Sequence, residues 1–229
     1  MPKHMQLEIE RLKKRILASG DTVVEAIQKA LAALEEGREG LAREVIEGDR
    51  RIDRSEVEVE EECLKLLALY QPVAEDLRFI AAVMKINNDL ERMGDEAVNI
   101  AEHAIFLAQS DPIAVPPLLK DMTVASMRMV RESLAAFVNG DARAARRICA
   151  QDDEVDQYNR EVINTVWKMM EKDPKTIERA THLFSVSRHL ERIADHATNI
   201  SEDVVYMVEG TIIRHRAESL YPQQAEKPS

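Results

Sequence analysis

The chain has 229 residues, 45% of them hydrophobic and 32% charged, with only 7 glycines, 8 prolines and 4% aromatics. That composition suits long amphipathic helices and argues against a β-sandwich or barrel, which needs many turns and aromatic or β-branched strands. The net charge of −11 and pI near 5.1 argue against nucleic acid as a partner, because phosphate contacts need a basic surface.

The N-terminus opens on charged helix formers and shows no apolar core of a signal peptide. No run approaches the roughly 20 apolar residues of a membrane span. A soluble, cytoplasmic chain is expected, able to sit only peripherally on a membrane complex. Ile9, Leu12, Ile16, Val23, Ile27, Leu31 and Leu34 recur at three or four residues and predict one long amphipathic helix. Glu35–Gly40 ends it, with glycines for a left-handed cap. A second helix is predicted over 41–70, broken at Gln71-Pro72, and a third over 72–109.

Ser110–Pro117 is the interior's proline-rich stretch and divides the chain. The order then recurs: helices over 117–139, 142–172 and 174–209, with turns at Gly140-Asp141 and Asp173-Pro174 and a stop at Gly210. The expected fold is all-α, two tandem pseudo-symmetric antiparallel three-helix bundles, residues 1–110 and 111–216. Residues 217–229 read as a disordered tail.

The halves repeat in detail. Residues 89–102 align without gaps to residues 189–202, and eight of the fourteen pairs are identical. Five of those eight are polar: Glu91/Glu191, Arg92/Arg192, Asp95/Asp195, Asn99/Asn199 and Glu102/Glu202. A shared core keeps Leu, Ala and Ile alike but does not require the same acids, Arg and Asn. Asp49–Asp53 likewise matches Asp152–Asp156.

Glu91, Asp95 and Glu102 fall on one helical stripe, with Asn99 at its border, and Asp49, Asp53, Glu56 and Glu60 form another. Packed as antiparallel neighbours, the stripes face each other. The second half offers Asp152, Asp156 and Asn159 against Glu191, Asp195, Asn199 and Glu202. Two carboxylates about 5 Å apart repel by roughly 3 kcal/mol at an effective dielectric near 20. Such a cluster needs cations, protons or water, and hard oxygen donors suit Mg²⁺, Ca²⁺, Mn²⁺ or iron. The plain alternative is a solvated face on which Arg92 and Arg192 pair with neighbouring acids to little effect.

Other features read as structural. Cys63 and Cys149 lack a CxxC partner and are expected as reduced, buried thiols. His189 and His196, standing where the first copy has Asp89 and Glu96, are expected at the surface. His103, His182, Trp167 and the methionines are expected in packing roles. No GxxxxGK[ST], HExxH or Glu-x-x-His pattern occurs. An enzyme is therefore the weaker reading, and a carboxylate-cluster metal store or metalloenzyme stays an alternative.

Gln71–Arg78, the Asp89–Glu102 run, its second copy and the Asp-x-x-Ile/Val-Asp elements together resemble the PhoU family, over roughly residues 5–212. The resemblance implies the two-bundle fold. It implies a non-enzymatic cytoplasmic negative regulator of phosphate uptake and of phosphate-starvation signalling. The implied partners are the ATPase subunit of the phosphate ABC transporter, a PhoR-type sensor histidine kinase and a second copy in a homodimer. It further implies metal ions, with iron, Mn, Mg and Zn as candidates, on the E/DxxxD motifs Glu91–Asp95 and Glu191–Asp195. A role at a different phosphate transporter is the near alternative.

Overall fold

The computed structural model describes residues 3–213. The tail expected over 217–229 lies outside them. Helices α1 (Lys3–Glu36), α2 (Glu39–Tyr70) and α3 (Ala74–Ala108) form the first half. Helices α4 (Pro117–Asn139), α5 (Ala142–Cys149), α6 (Asp152–Lys172) and α7 (Ile177–Glu209) form the second, with a 3-10 turn at Pro174–Thr176 leading into α7. No strand occurs among the described residues.

Cross-helix contacts fix the directions. Along α1 and α2, Arg15 meets Glu58, Ser19 meets Ser55 and Lys29 meets Glu44, so one helix ascends as the other descends. Asn87 on α3 reaches the Glu56 carbonyl and Gln109 reaches Glu39, which sets α3 antiparallel to α2. The second half repeats this: Ser187 on α7 donates to Asn159 on α6, while Arg146 on α5 meets Glu209 at the far end of α7.

One continuous core runs through both halves, from Leu12, Ile16 and Ile27 through Ile86, Leu90 and Met93 to Met129, Phe137, Leu190 and Ile200. The largest interface between the halves is α3 against α7, and α1 also touches α4. Gly20 makes that second contact close. A Cβ at Gly20 would stand 2.4 Å from Leu134 Cδ1, so a larger residue forces α4 or its leucine to shift.

Two expectations from sequence are corrected. The helix predicted over 142–172 is two helices with a break at Ala150-Gln151. Asp152, Asp153 and Glu154 crowd the first turn of α6, while Arg146 and Arg147 fill the last turn of α5. That charge order favours a C-terminus followed by a new N-terminus, because acids stabilise the positive start of a helix and bases its negative end. Asp141 also caps α5, its carboxylate accepting from the backbone N–H groups of Arg143 and Ala144. Gly140 supplies the left-handed turn before it, at φ +61°. Trp167 is the second correction. It is exposed on the outer side of α6 rather than a packing anchor.

Candidate functional site: two acidic faces and a polar seam

Helices α2 and α3 bring one set of carboxylates together. Asp49 lies beside Asp53 on its own helix and faces Asp95 across the interface, and Glu91 faces Asp53 and Glu56. Gly94 permits this approach. A Cβ there would come within 3.0 Å of Ile52 Cδ1 and 3.3 Å of Asp49 Oδ1.

The charges show their cost in acidity. Desolvation by the packed helices, then the charges of Asp53 and Asp95, push Asp49 up to about 6. Glu91 is raised by desolvation and by Asp95, with Arg92 opposing. Arg92 approaches Glu91 at 3.6 Å and Asp95 at 3.7 Å from an exposed position. Pairs of that kind contribute little.

Helices α6 and α7 build the second face. Asp195 is pushed up to about 6 by desolvation, then by Asp152, Glu191 and Asp156. Asp152 is raised by burial and by Asp156. Arg188 meets Glu191 at 2.7 Å and Arg160 meets Asp156 at 3.7 Å. Glu202 sits near Cys149, whose thiol burial and that acid push up to about 12. Glu102, its counterpart, is exposed two turns beyond Asp95 on α3. Cys63 is buried and Cys149 half-buried, and both are free thiols.

The first face also holds a buried oxygen without a hydrogen-bond partner, Asn87 Oδ1, whereas in the second the Thr198 side chain hydrogen-bonds Asp152 and opposes the rise in its pKa. Asn87 lies one turn before Glu91, and its amide nitrogen donates to the Glu56 carbonyl at 2.8 Å. That bond fixes its oxygen on the other side. Asn87 was not singled out from sequence, since an unpartnered oxygen becomes visible only after packing.

The donor chemistry fits a hard cation: several carboxylates with raised pKa values in each half, and the orphaned Asn87 oxygen in the first. Among the described residues, no three His, Cys, Asp or Glu side chains converge tightly enough to hold a metal as placed. The side chains that would hold one are Asp49, Asp53, Glu91 and Asp95, and in the second face Asp152, Asp156, Glu191 and Asp195.

The other repeated polar residues do something different. Along the α3–α7 interface, Lys85 Nζ meets Asp203 Oδ1 at 3.0 Å. Asp89 Oδ1 contacts His196 Nδ1 at 2.8 Å and accepts from Asn199 Nδ2 at 3.3 Å. Glu96 pairs with His189 through Oε2 and accepts from Arg192 through Oε1, the latter at 3.2 Å. Farther along, His103 Nδ1 and His182 Nδ1 stand 2.8 Å apart. The carboxylates Asp89, Glu96 and Asp203 are all buried.

His189 and His196 are therefore half-buried partners of acids, not the surface residues expected. The pairings are reciprocal. Position 89 meets 196, and position 96 meets 189. If both copies carried the first copy's acids, Asp89 and Glu96 would each face another buried carboxylate. The departures between the copies make the two surfaces complementary. Arg192 and Asn199 bond across this seam, whereas Arg92 pairs with Glu91 and Asp95 of its own helix.

Burial raises Glu96, but the His189 hydrogen bond and charge, with Arg192, overcome it and hold the acid below its ordinary value. Among the described residues, no helix is long and apolar enough to cross a membrane.

Comparison with known proteins places these features in context. The PhoU domain family model matches residues 16–104 and 119–204, one match in each half. A phosphate-specific transport system accessory protein PhoU homolog of Aquifex aeolicus is 43% identical over 209 residues, covering 91% of this chain and 95% of that protein. The crystal structure of PhoU from Pseudomonas aeruginosa superposes with a TM-score of 0.86 at 36% identity, covering 90% of this chain and 99% of that one. The phosphate transport system regulatory protein PhoU from Streptococcus pneumoniae gives 0.86 at 33% identity, covering 91% and 98%.

Proposed function

The chain belongs to the PhoU family, and from that premise we propose that it is a cytoplasmic, non-enzymatic accessory protein of a phosphate transport system. Its role is to restrain phosphate uptake and phosphate-starvation signalling. It acts as an adaptor between the ATPase subunit of the phosphate ABC transporter and a sensor histidine kinase. The names of its relatives support the transport context.

The observation that carries the mechanism is the pair of outward acidic faces on which carboxylates from two helices crowd one another. Desolvation by the packed helices, then the charges of neighbouring acids, pushes Asp49 and Asp195 up to about 6. Such faces gain free energy from any cation that reaches them, whether a basic surface of a partner protein or a metal ion bound by the same carboxylates. A bound metal would supply charge neutralisation and fix side-chain geometry there. The long helices hold the two faces at a set relation through the α3–α7 interface. An adaptor needs such rigidity. It restrains a transporter only by binding one conformation of it better than another.

The test is a pulldown from phosphate-replete cells with wild type and an Asp95→Ala/Asp195→Ala variant, with metal content and self-association measured on both. Recovery of the transporter ATPase or the kinase by wild type, reduced in the variant, is the expected result. Wild type that recovers neither partner and carries no stoichiometric metal would sink the reading.

A further inference from the structure

We propose that the His103–His182 pair is a bis-imidazole site for a borderline divalent cation such as Zn²⁺, Ni²⁺ or Cu²⁺, distinct from the acidic faces and bridging the two halves. The two rings come from different repeats, His103 from α3 and His182 from α7. Their Nδ1 atoms face each other at 2.8 Å. Two nitrogens each about 2.0–2.1 Å from one metal, at angles between 90° and tetrahedral, stand roughly 2.9–3.3 Å apart. Opening the pair by a few tenths of an ångström, with both rings tilting so that their Nδ1 lone pairs converge to one side of the N···N line, admits the ion.

The surroundings orient the ligands. His182 stacks on Phe106, with ring centroids 3.7 Å apart and planes 10° from parallel. His103 meets His182 edge-on, at 4.9 Å and 77°. Neither ring rotates freely, so little rotamer freedom is lost on binding. Both residues are half-buried and reachable from solvent.

The protonation state also suits ligation, since neutral imidazole is the form that binds metal. Burial, then the neighbouring His182 and His189, lowers His103 to about 4, and burial lowers His182. Glu178 lies near enough to His182 to favour positive charge there. Without metal the contact is a hydrogen bond, one Nδ1–H donating to the other Nδ1. When the ion binds, that proton moves to Nε2 of the same ring, and no net proton is released.

His189 is not one of the two ligands. Its ring lies 5.4 Å from that of His103, and its Nδ1 is committed to Glu96. Water completes the coordination. The proposal stands on this geometry alone and does not depend on the adaptor reading.

The experiment titrates the metal-free, full-length protein with Cu²⁺, read by electron paramagnetic resonance, and with Zn²⁺, read by thermal unfolding. Wild type should show coupling to two imidazole nitrogens at one equivalent. Its Tm should rise by about 5 °C at a hundredfold excess of Zn²⁺ over Kd. His103→Gln and His182→Gln should each lose the two-nitrogen signal and the rise. His4→Gln, at an exposed histidine, should keep both.

Persistence of the nitrogen coupling in both His103→Gln and His182→Gln would overturn the proposal. So would oxygen-only coupling in wild type. Should those variants fail to fold, ¹⁵N spectra of the wild-type histidines decide the matter. Zn²⁺ must then shift Nδ1 of His103 and His182 selectively, and shifts confined to other histidines would overturn it.

Discussion

The outer acidic faces and the α3–α7 seam use the same building block, a carboxylate on α3 or α7, in opposite ways. In the seam each buried acid has a cationic or polar partner from the other repeat: Asp203 with Lys85, Asp89 with His196 and Asn199, Glu96 with His189 and Arg192. On the faces, Asp49, Asp53, Glu91 and Asp95 mostly meet one another, as do Asp152, Asp156, Glu191 and Asp195. The contrast lies in acidity as well as geometry. Glu96 is held low, whereas Asp49 and Asp195 are pushed up to about 6. A burial penalty met inside the molecule makes architecture. One left unmet makes a site that a partner or cation can satisfy.

The largest effect is expected from stripping Glu96 of its partners. The His189→Ala/Arg192→Ala variant leaves a buried carboxylate without a cation and should lose about 3 kcal/mol of stability in urea unfolding at neutral pH. A loss well under 1 kcal/mol would mean that the seam is no more important than a surface pair. The exchange Glu96→His/His189→Glu should keep most of the wild-type stability, because it reverses the pair without removing it. If the exchange is as damaging as the double alanine, the geometry of each side chain matters more than complementarity.

On the faces the expected sign is opposite. Removing a crowded charge with Asp49→Asn or Asp195→Asn should raise the Tm of metal-free protein by a few degrees at neutral pH. Acidification should act in the same direction at these two groups in wild type. The folded-state value near 6 lies above the ordinary aspartate value of 3.8, so the folded chain binds the extra protons. The stabilisation is complete below the ordinary value and is lost as pH rises through about 6. This contribution to Tm should increase from pH 7 to pH 5, against the loss as the half-buried His103 and His182 resist protonation, and it should be smaller in the two variants. Glu96 acts the other way. Its contribution is present above the ordinary glutamate range and is lost only as pH falls below it. The same pH dependence in wild type and in the two variants would contradict the assignment.

The smallest effect is expected from Gly94→Ala. The second copy already has Ala194, and alanine gains about 1 kcal/mol of helix propensity over glycine. Against that, the new Cβ meets Ile52 at 3.0 Å and Asp49 at 3.3 Å. Net stability should change by less than about 1 kcal/mol, while cation affinity measured calorimetrically on the first face should fall as α2 moves away. Unchanged affinity would show that the close approach at Gly94 serves packing alone.

Much of the helical order was legible in sequence because helix period, proline breaks and glycine stops are local signals. The repeat of Glu, Arg, Asp, Asn and Glu marked α3 and α7, and the antiparallel connection brings Asp49 and Asp53 to Asp95 and Glu91. The break at Ala150-Gln151 was written in the Arg146-Arg147 to Asp152-Asp153-Glu154 charge order, but it is a weaker signal than a proline. Trp167 misled because a large apolar residue ordinarily means core. The histidines misled for a deeper reason. In one copy His189 and His196 look like substitutions on a surface motif, and only the partner helix supplies Glu96 and Asp89.

By itself, then, the sequence determined which segments are helices, that they come in two similar sets, and which helices carry the acids. Those properties depend on residues within a few positions of one another along the chain. Tertiary structure alone decided which acids are satisfied and which are left exposed to one another. That choice turns on distances between α3 and α7 and between each of them and its neighbour. Residues 89 and 196, or 103 and 182, meet only when two helices far apart in sequence pack together and exclude water between them.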